Sequence, residues 1–276
     1  MDFAPIAGLR LGMAGLMAVL LSCAGVESGR PSSHWSLQPL SPPSVPAVRE
    51  PANVRNSIDA FVQAGLERDG IRSSPEADRR TLLRRVSFDL TGLLPSVDEV
   101  AAFEADPDPA AYEVRVERLL ASPRYGERWA RHWLDAVHYG DTHGNDHDYI
   151  RPHAWPYRDY VIESFNRDKP YARFVLEQIA GDVLFPRDPA ATVALGFLAA
   201  GPWDETLMVG VNEDTVDHRM AQNLDRDNMV TTVMSTFLST TVQCARCHHH
   251  KFGRHWHHGC HWLQLHVDLL QLHHWA

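Results

Sequence analysis

Cysteine is scarce in this chain: the 276 residues hold four, at Cys23, Cys244, Cys247 and Cys260. That is too few for a small domain stapled by disulfides. Basic charge is short as well, with 26 Lys and Arg against 35 Asp and Glu, a net charge of −9. A broad basic face is therefore excluded, and no nucleic-acid partner is expected. The apolar run at residues 11–21 falls short of the ~20 residues that a bilayer span needs. No segment alternates convincingly with period two, and no repeat recurs at solenoid spacing. The chain is 44% hydrophobic and 22% charged, the balance of a globular protein. Wholesale disorder, collagen-like repeats and a multi-span membrane protein are thereby ruled out. At ~150 residues per domain the length suggests one or two domains.

The first segment reads as an address. The run LGMAGLMAVLL follows Arg10 and fits the apolar core of a secretory signal peptide over residues 1–22. Leu20-Leu21-Ser22-Cys23 resembles a bacterial lipobox, in which the cysteine becomes the lipidated first residue. Leu21 stands where a small residue is usual. The expectation is an exported protein of the periplasm or cell surface, attached to the membrane through lipid on Cys23.

Residues 23–52 are rich in Pro and Ser and read as an extended linker. From Asn56 the pattern turns helical. Ile58, Phe61, Val62 and Leu66 share a face, and Gly70 can end the helix. Ser73 with Glu76, and Ser96 with Glu99, have capping-box spacing. Asp108-Pro109 and Ser122-Pro123 open two more helices. Trp129, Trp133 and Trp155 are expected in the core. Tyr157, Tyr160, Val161, Ser164 and Phe165 continue the helical pattern, then Tyr171, Phe174, Val175 and Ile179, and a long stretch runs from Asp214 to Thr240. The fold class expected is mainly α: a multi-helix single domain with long irregular loops, spanning 53–251.

Two groups of residues could carry chemistry. Cys244-Ala245-Arg246-Cys247-His248 has the Cys-x-x-Cys-His spacing of c-type haem attachment. Two thiols three residues apart reach the two vinyl groups of one haem, and the adjacent histidine is placed as an axial ligand. The alternatives are a zinc site built from His248, His249, His250 and Cys260 with the two thiols, a redox disulfide, or a structural disulfide. A distal haem ligand could come from His218, Met220, Met229 or Met234, or from the polar loop at residues 139–155. That loop is the second group. It gathers Asp141, His143, Asp146, His147, Asp148 and His153, which suit a divalent metal or acid–base work. Asp141, His143 and His147 are the candidate ligands. The rival reading is a solvated loop, because Asp, Asn and Gly are common turn residues.

Several stretches together resemble one family. They are HWSLQPL at His34, RRVSFDLTGLLPSVDEVAAF at Arg84, LLASPRYGERWARHWLD at Leu119, the loop from Asp141 through YARF, QIAGD at Gln178, and CARCHHHKF at Cys244. The pattern is similar to the planctomycete secreted cytochrome-like family, a domain of unknown function. That resemblance implies an exported, mostly helical protein with a cytochrome-like site at Cys244, Cys247 and His248. The family pattern has Asp where His249 stands here, and Asp-Pro from the place of Gly253. Residues 252–276 depart further: they hold seven His and three Trp, against ten and five in the preceding 251. A truncated or frame-shifted C-terminus is the expectation, with a His-rich metal-binding tail as its rival.

The leading functional expectation is a lipid-anchored cytochrome-like carrier that binds haem c and passes electrons to a redox partner. A zinc-clipped binding module, and a hydrolase-like enzyme built on the Asp/His loop, are the other two. Whether the protein is an enzyme stays open at this stage.

Overall fold

The computed structural model describes residues 38–145 and 147–246. Within them lie ten α-helices and a single isolated β-bridge, Thr142 to Ile150. The chain is mainly α, as its periodicity implies. It divides into two units, one ending at Glu76 and one starting at Ala77.

The first unit contains α1 (Ser57–Arg68). Asn56 caps it, accepting from the Asp59 amide while Asp59 accepts from the Asn56 amide. Gly70 follows in the left-handed region at φ +70°, which glycine adopts without strain. The expected apolar face is not a buried one: Ile58, Phe61 and Val62 are exposed, while Ala60 and Gln63 are buried. Glu67 ties α1 to the end of the Pro/Ser-rich stretch. It accepts from the Arg49 and Glu50 amides at 2.9 and 3.2 Å and from Gln63 at 3.1 Å.

The second unit holds the remaining nine described helices. α2 (Arg79–Thr91) starts later than expected. Asp78, not Ser73, is its cap, accepting from the Thr81 amide and hydroxyl at 2.8 and 3.1 Å. Glu76 pairs with Arg55 instead. α2 ends at Gly92, φ +72°. α3 (Val97–Ala105) opens with the expected capping box of Ser96 and Glu99. α4 is Ala111–Leu120, and α5 (Pro123–Ala136) opens at the expected Ser122 cap. Leu83, Phe103 and Ala111 form a small core among α2, α3 and α4.

The larger core lies among α5, α6 (Trp155–Asn166), α7 (Tyr171–Leu184), α8 (Pro189–Ala194) and α10 (Val216–Leu238). Tyr157, Tyr160, Val161 and Phe174 fill it, and Trp133 meets Phe174 edge-on at 4.8 Å. Two of the three tryptophans expected inside are not there. Trp129 and Trp155 are exposed, the latter by 52%. Small residues, Gly126 and Ala130, take the buried face of α5. The Gly126 position lies so close to Ile162 and Asn166 that a Cβ there would meet the Ile162 carbonyl oxygen at 2.5 Å.

α7 breaks its own pattern. Its buried face carries Glu177 and Gln178 beside Phe174 and Gly181. Buried polar groups persist only when bonded, and both are. The Gln178 carbonyl accepts from Trp133 Nε1 at 2.9 Å and the Tyr157 hydroxyl at 2.8 Å, while its amide donates to the Phe174 carbonyl. Glu177 accepts from the Tyr160 hydroxyl at 2.7 Å and from Lys169 and Arg173. α9 (Glu205–Val209) is a short link between the core and α10.

Candidate functional site

The Cys-x-x-Cys-His motif follows α10. The helix ends at Ser239, whose left-handed φ of +50° turns the chain away, with the Thr240 amide bonded to the Met234 carbonyl at 3.2 Å. Phe237 anchors this end, packing against Phe197 at 5.0 Å and Trp133 at 5.9 Å. Val242 is buried. A 3-10 turn, Gln243–Arg246, then carries Cys244, which is exposed and forms no disulfide among the described residues. Cys247 and His248 lie outside the described residues, as do His249, His250, Cys260, Cys23 and the tail from 252.

Of the distal-ligand candidates, His218 is buried near the start of α10 with both ring nitrogens engaged. Its Nδ1 lies 3.0 Å from the Leu207 carbonyl oxygen, an acceptor, so Nδ1 carries the proton. Nε2 then accepts from the Gln222 amide at 3.0 Å. No lone pair is left for iron. Met220 is exposed on the same helix.

The polar loop is more ordered than its composition suggests. Thr142 and Ile150 bridge its two arms, the His143 amide donates to the Tyr149 carbonyl at 3.0 Å, and the Arg151 amide donates to the Asp141 carbonyl at 2.8 Å. Arg151 pins the loop to the core by donating to the carbonyls of Ala199, Ala200 and Gly201. Burial pushes its guanidinium pKa down. The Trp203 amide donates to the His143 carbonyl at 2.9 Å, and the His143 and Trp203 rings meet edge-on at 5.1 Å.

These contacts separate the three candidate metal ligands. His143 Nδ1 faces Glu205 Oε2 at 2.9 Å. A carboxylate only accepts, so Nδ1 holds the proton and Nε2 carries the lone pair of the neutral ring. Asp141 accepts from the Tyr139 hydroxyl at 2.6 Å and lies 4.0 Å from Arg158. Burial and this Asp141 contact raise the Tyr139 pKa. His147 is exposed and stacks on Tyr149 at 5.7 Å. Asp148 accepts from the Gly144 amide at 2.9 Å, and hydrogen bonds from Thr142 and Gly144 hold its pKa down. Among the described residues no three His, Cys, Asp or Glu side chains gather as a metal set.

What the loop does build is a carboxylate-oriented imidazole, a geometry suited to acid–base work. Glu205 is missing from the sequence reading because it lies 62 residues from His143, with no local spacing to reveal it.

Fold and site together define a helical protein with an exposed cysteine turn after its longest helix and a separate His–Glu pair in a pinned loop. The chain matches the PSCyt2 family model, described as a protein of unknown function (DUF1549), over residues 57–264, and it belongs to that planctomycete secreted cytochrome-like family. The match runs past Phe252 into the His/Trp-rich stretch. No curated protein and no solved structure matches the chain. No helix among the described residues is long and apolar enough to cross a membrane.

Proposed function

We propose that the protein is an exported, lipid-anchored, cytochrome-like electron carrier holding haem c through Cys244 and Cys247, with His248 as axial ligand. The observation that carries this reading is the motif itself, read with the exposure of Cys244 on a turn tethered to the core by Val242 and Phe237. That arrangement fits covalent attachment: a thiol in the open can reach a vinyl group, and the turn fixes where it emerges. Bound haem supplies one-electron exchange. Cys244 and Cys247 would hold the group, and His248 would supply an imidazole nitrogen to it. His218, with both nitrogens bonded, serves packing rather than ligation.

The test is a haem stain on denatured protein from a host that matures c-type cytochromes. Covalent colour in the wild type, lost in the Cys244→Ala/Cys247→Ala variant, supports the reading. A colourless wild type overturns it, and one equivalent of bound zinc would then assign the cysteines to a structural clip. Export is tested separately: mass spectrometry should find a mature chain beginning at lipidated Cys23, and an intact Met1 would refute it.

A second reading has its own support in the His143–Glu205 pair. A hydrolase-like enzyme would use His143 Nε2 as a base toward water, with Glu205 holding the tautomer. Its test is hydrolysis of activated esters by the intact protein, lost in His143→Asn and Glu205→Gln alike.

A further inference from the structure

The turn between α2 and α3 leaves apolar side chains in water. Leu93, Leu94 and Val97 are exposed there, Val97 by 84%. Phe88, on the last turn of α2, and Trp129, on α5, are exposed as well. The two helices pack together, and Arg128 bridges them. Its Cδ lies 3.1 Å from where a Gly92 Cβ would stand, and its guanidinium lies 5.9 Å from the Phe88 ring centroid. An exposed apolar residue standing alone is ordinary, but a group of them about one turn marks a contact surface.

The same surface is basic in an acidic chain. Residues 84–97 and 124–132 hold five Arg against two acids, Asp89 and Glu127, while the whole chain carries −9. Arg84 and Arg85 stand four and three positions before Phe88, a spacing that shares one side of a helix, and both are exposed. Arg131, three positions beyond Arg128 on α5, is exposed too. Among the described residues no acid lies within ion-pair distance of Arg84, Arg85, Arg128 or Arg131. Arg80, Arg118 and Arg124 differ, pairing with Glu104, Glu99 and Glu127. The Arg128 Nε is buried without a hydrogen-bond partner, so packing rather than an acid holds that cation beside Phe88.

We infer that the α2–α5 face and the turn at Leu93-Leu94 dock on an anionic lipid bilayer, the apolar tips entering the headgroup region and the four arginines gripping lipid phosphates. Interfacial binding grows with buried apolar area and with attraction to anionic lipid together, and a guanidinium's planar donors suit phosphate oxygens. A soluble polyanion would neutralise the arginines but leave Leu93, Leu94 and Val97 in water, whereas a bilayer takes both. The chain ahead of residue 38 holds the apolar run 11–21 and Cys23. The inference rests on the anchoring proposed above only for bringing a bilayer within reach, and it is independent of haem.

The test is hydrogen exchange of the full-length protein on vesicles of phosphatidylglycerol and phosphatidylcholine in about equal parts, against vesicles of phosphatidylcholine alone. Exchange at the Leu93 and Leu94 amides should slow about ten-fold on the anionic vesicles and far less on the neutral ones, and high salt should weaken the effect. Leu94→Asp/Val97→Asp and Arg84→Gln/Arg131→Gln change exposed side chains without an acid partner, and each pair should abolish the slowing while the Tm stays put. Dextran sulfate, which offers charge without an apolar phase, should leave both amides unprotected. No slowing, equal slowing on neutral vesicles or with dextran sulfate, or slowing that persists in both variants would overturn the proposal. Cys23→Ser separates this surface from the anchor. Loss of the anchor lowers binding to both vesicles alike and leaves the contrast at Leu93 and Leu94, whereas failure of the surface removes the contrast and leaves anchorage whole.

Discussion

Replacing Glu177 with glutamine removes one negative charge from the buried side of α7 while keeping the size of the side chain. Glu177 is 1% exposed and accepts three bonds, from the Tyr160 hydroxyl, Lys169 Nζ and Arg173 Nε. Burial pushes its carboxyl up, but the bonds from Lys169, Tyr160 and Arg173 outweigh that and hold the pKa below the ordinary 4.5. In the variant the Tyr160 bond can survive, and the two cations lose their charge partner. A charge-assisted bond contributes about 1.5–3 kcal/mol. Lys169 and Arg173 keep 20% and 36% of their side-chain exposure, so water restores part of the loss, and Arg173 also retains Asp188 at 3.0 Å. The cost should be about 2–3 kcal/mol, below the 3–5 of a fully sealed pair. For a body of this size that is a fall of about 5–10 °C in Tm. The measurement is thermal unfolding by circular dichroism across pH. A lowered folded-state pKa means stability that is complete above the unfolded value and lost as pH falls through the folded one. The gap between wild type and Glu177→Gln should therefore be full at neutral pH and close well below pH 4.5. A gap under about 0.5 kcal/mol at pH 7, or one that persists unchanged to about pH 2, would refute the reasoning.

Gly181→Ala should be severe, because a Cβ there collides with the Ala191 backbone carbonyl and a carbonyl in α8 cannot swing aside; a loss of about 3 kcal/mol in urea unfolding is expected. Ser96→Ala removes the acceptor for the Glu99 amide and should cost about 0.5–2 kcal/mol by the same measurement. Glu205→Gln should loosen the polar loop without unfolding the core: hydrogen exchange should quicken at the Trp203 amide, which donates to the His143 carbonyl across that junction, and at the His143 amide, which donates to the Tyr149 carbonyl within the loop, while the amides of α6 keep their protection.

Some helix starts were legible from a local chemical signal. The Ser96–Glu99 box and the Ser122-Pro123 start stand where the residues place them, because a cap is a contact between neighbours in sequence. The same logic misplaced the start of α2. Ser73 and Asp78 both offer an acceptor, and Asp78 wins by bonding both the amide and the hydroxyl of Thr81. Tryptophan burial was not legible, since a large apolar ring at helical spacing says nothing of whether a small residue one turn away is a better fit. Gly126 and Ala130 let α5 and α6 approach closely, and that closeness leaves Trp129 outside.

The polar groups show the same limit from the other side. Glu177 and Gln178, at the start of QIAGD, look like solvent-facing helix residues, and nothing local distinguishes them from Glu163 or Asp159, which are not buried. Their burial is set by Lys169, Tyr160, Tyr157 and Trp133, between 8 and 45 residues away. His143 was legible as a chemically able residue, and its partner was not, for the same reason. A carboxylate 62 residues distant fixes which ring nitrogen holds the proton, and the loop that presents it is fixed by Arg151 reaching carbonyls 48 to 50 residues on. The Cys-x-x-Cys-His motif is the opposite case. Its three residues fall within five positions, so the chemistry we propose for it rests on local sequence, while the surface that would hold a cofactor depends on residues elsewhere in the chain. Short-range caps are therefore readable here, and the long-range bonds that decide which polar side chains are buried or oriented are not.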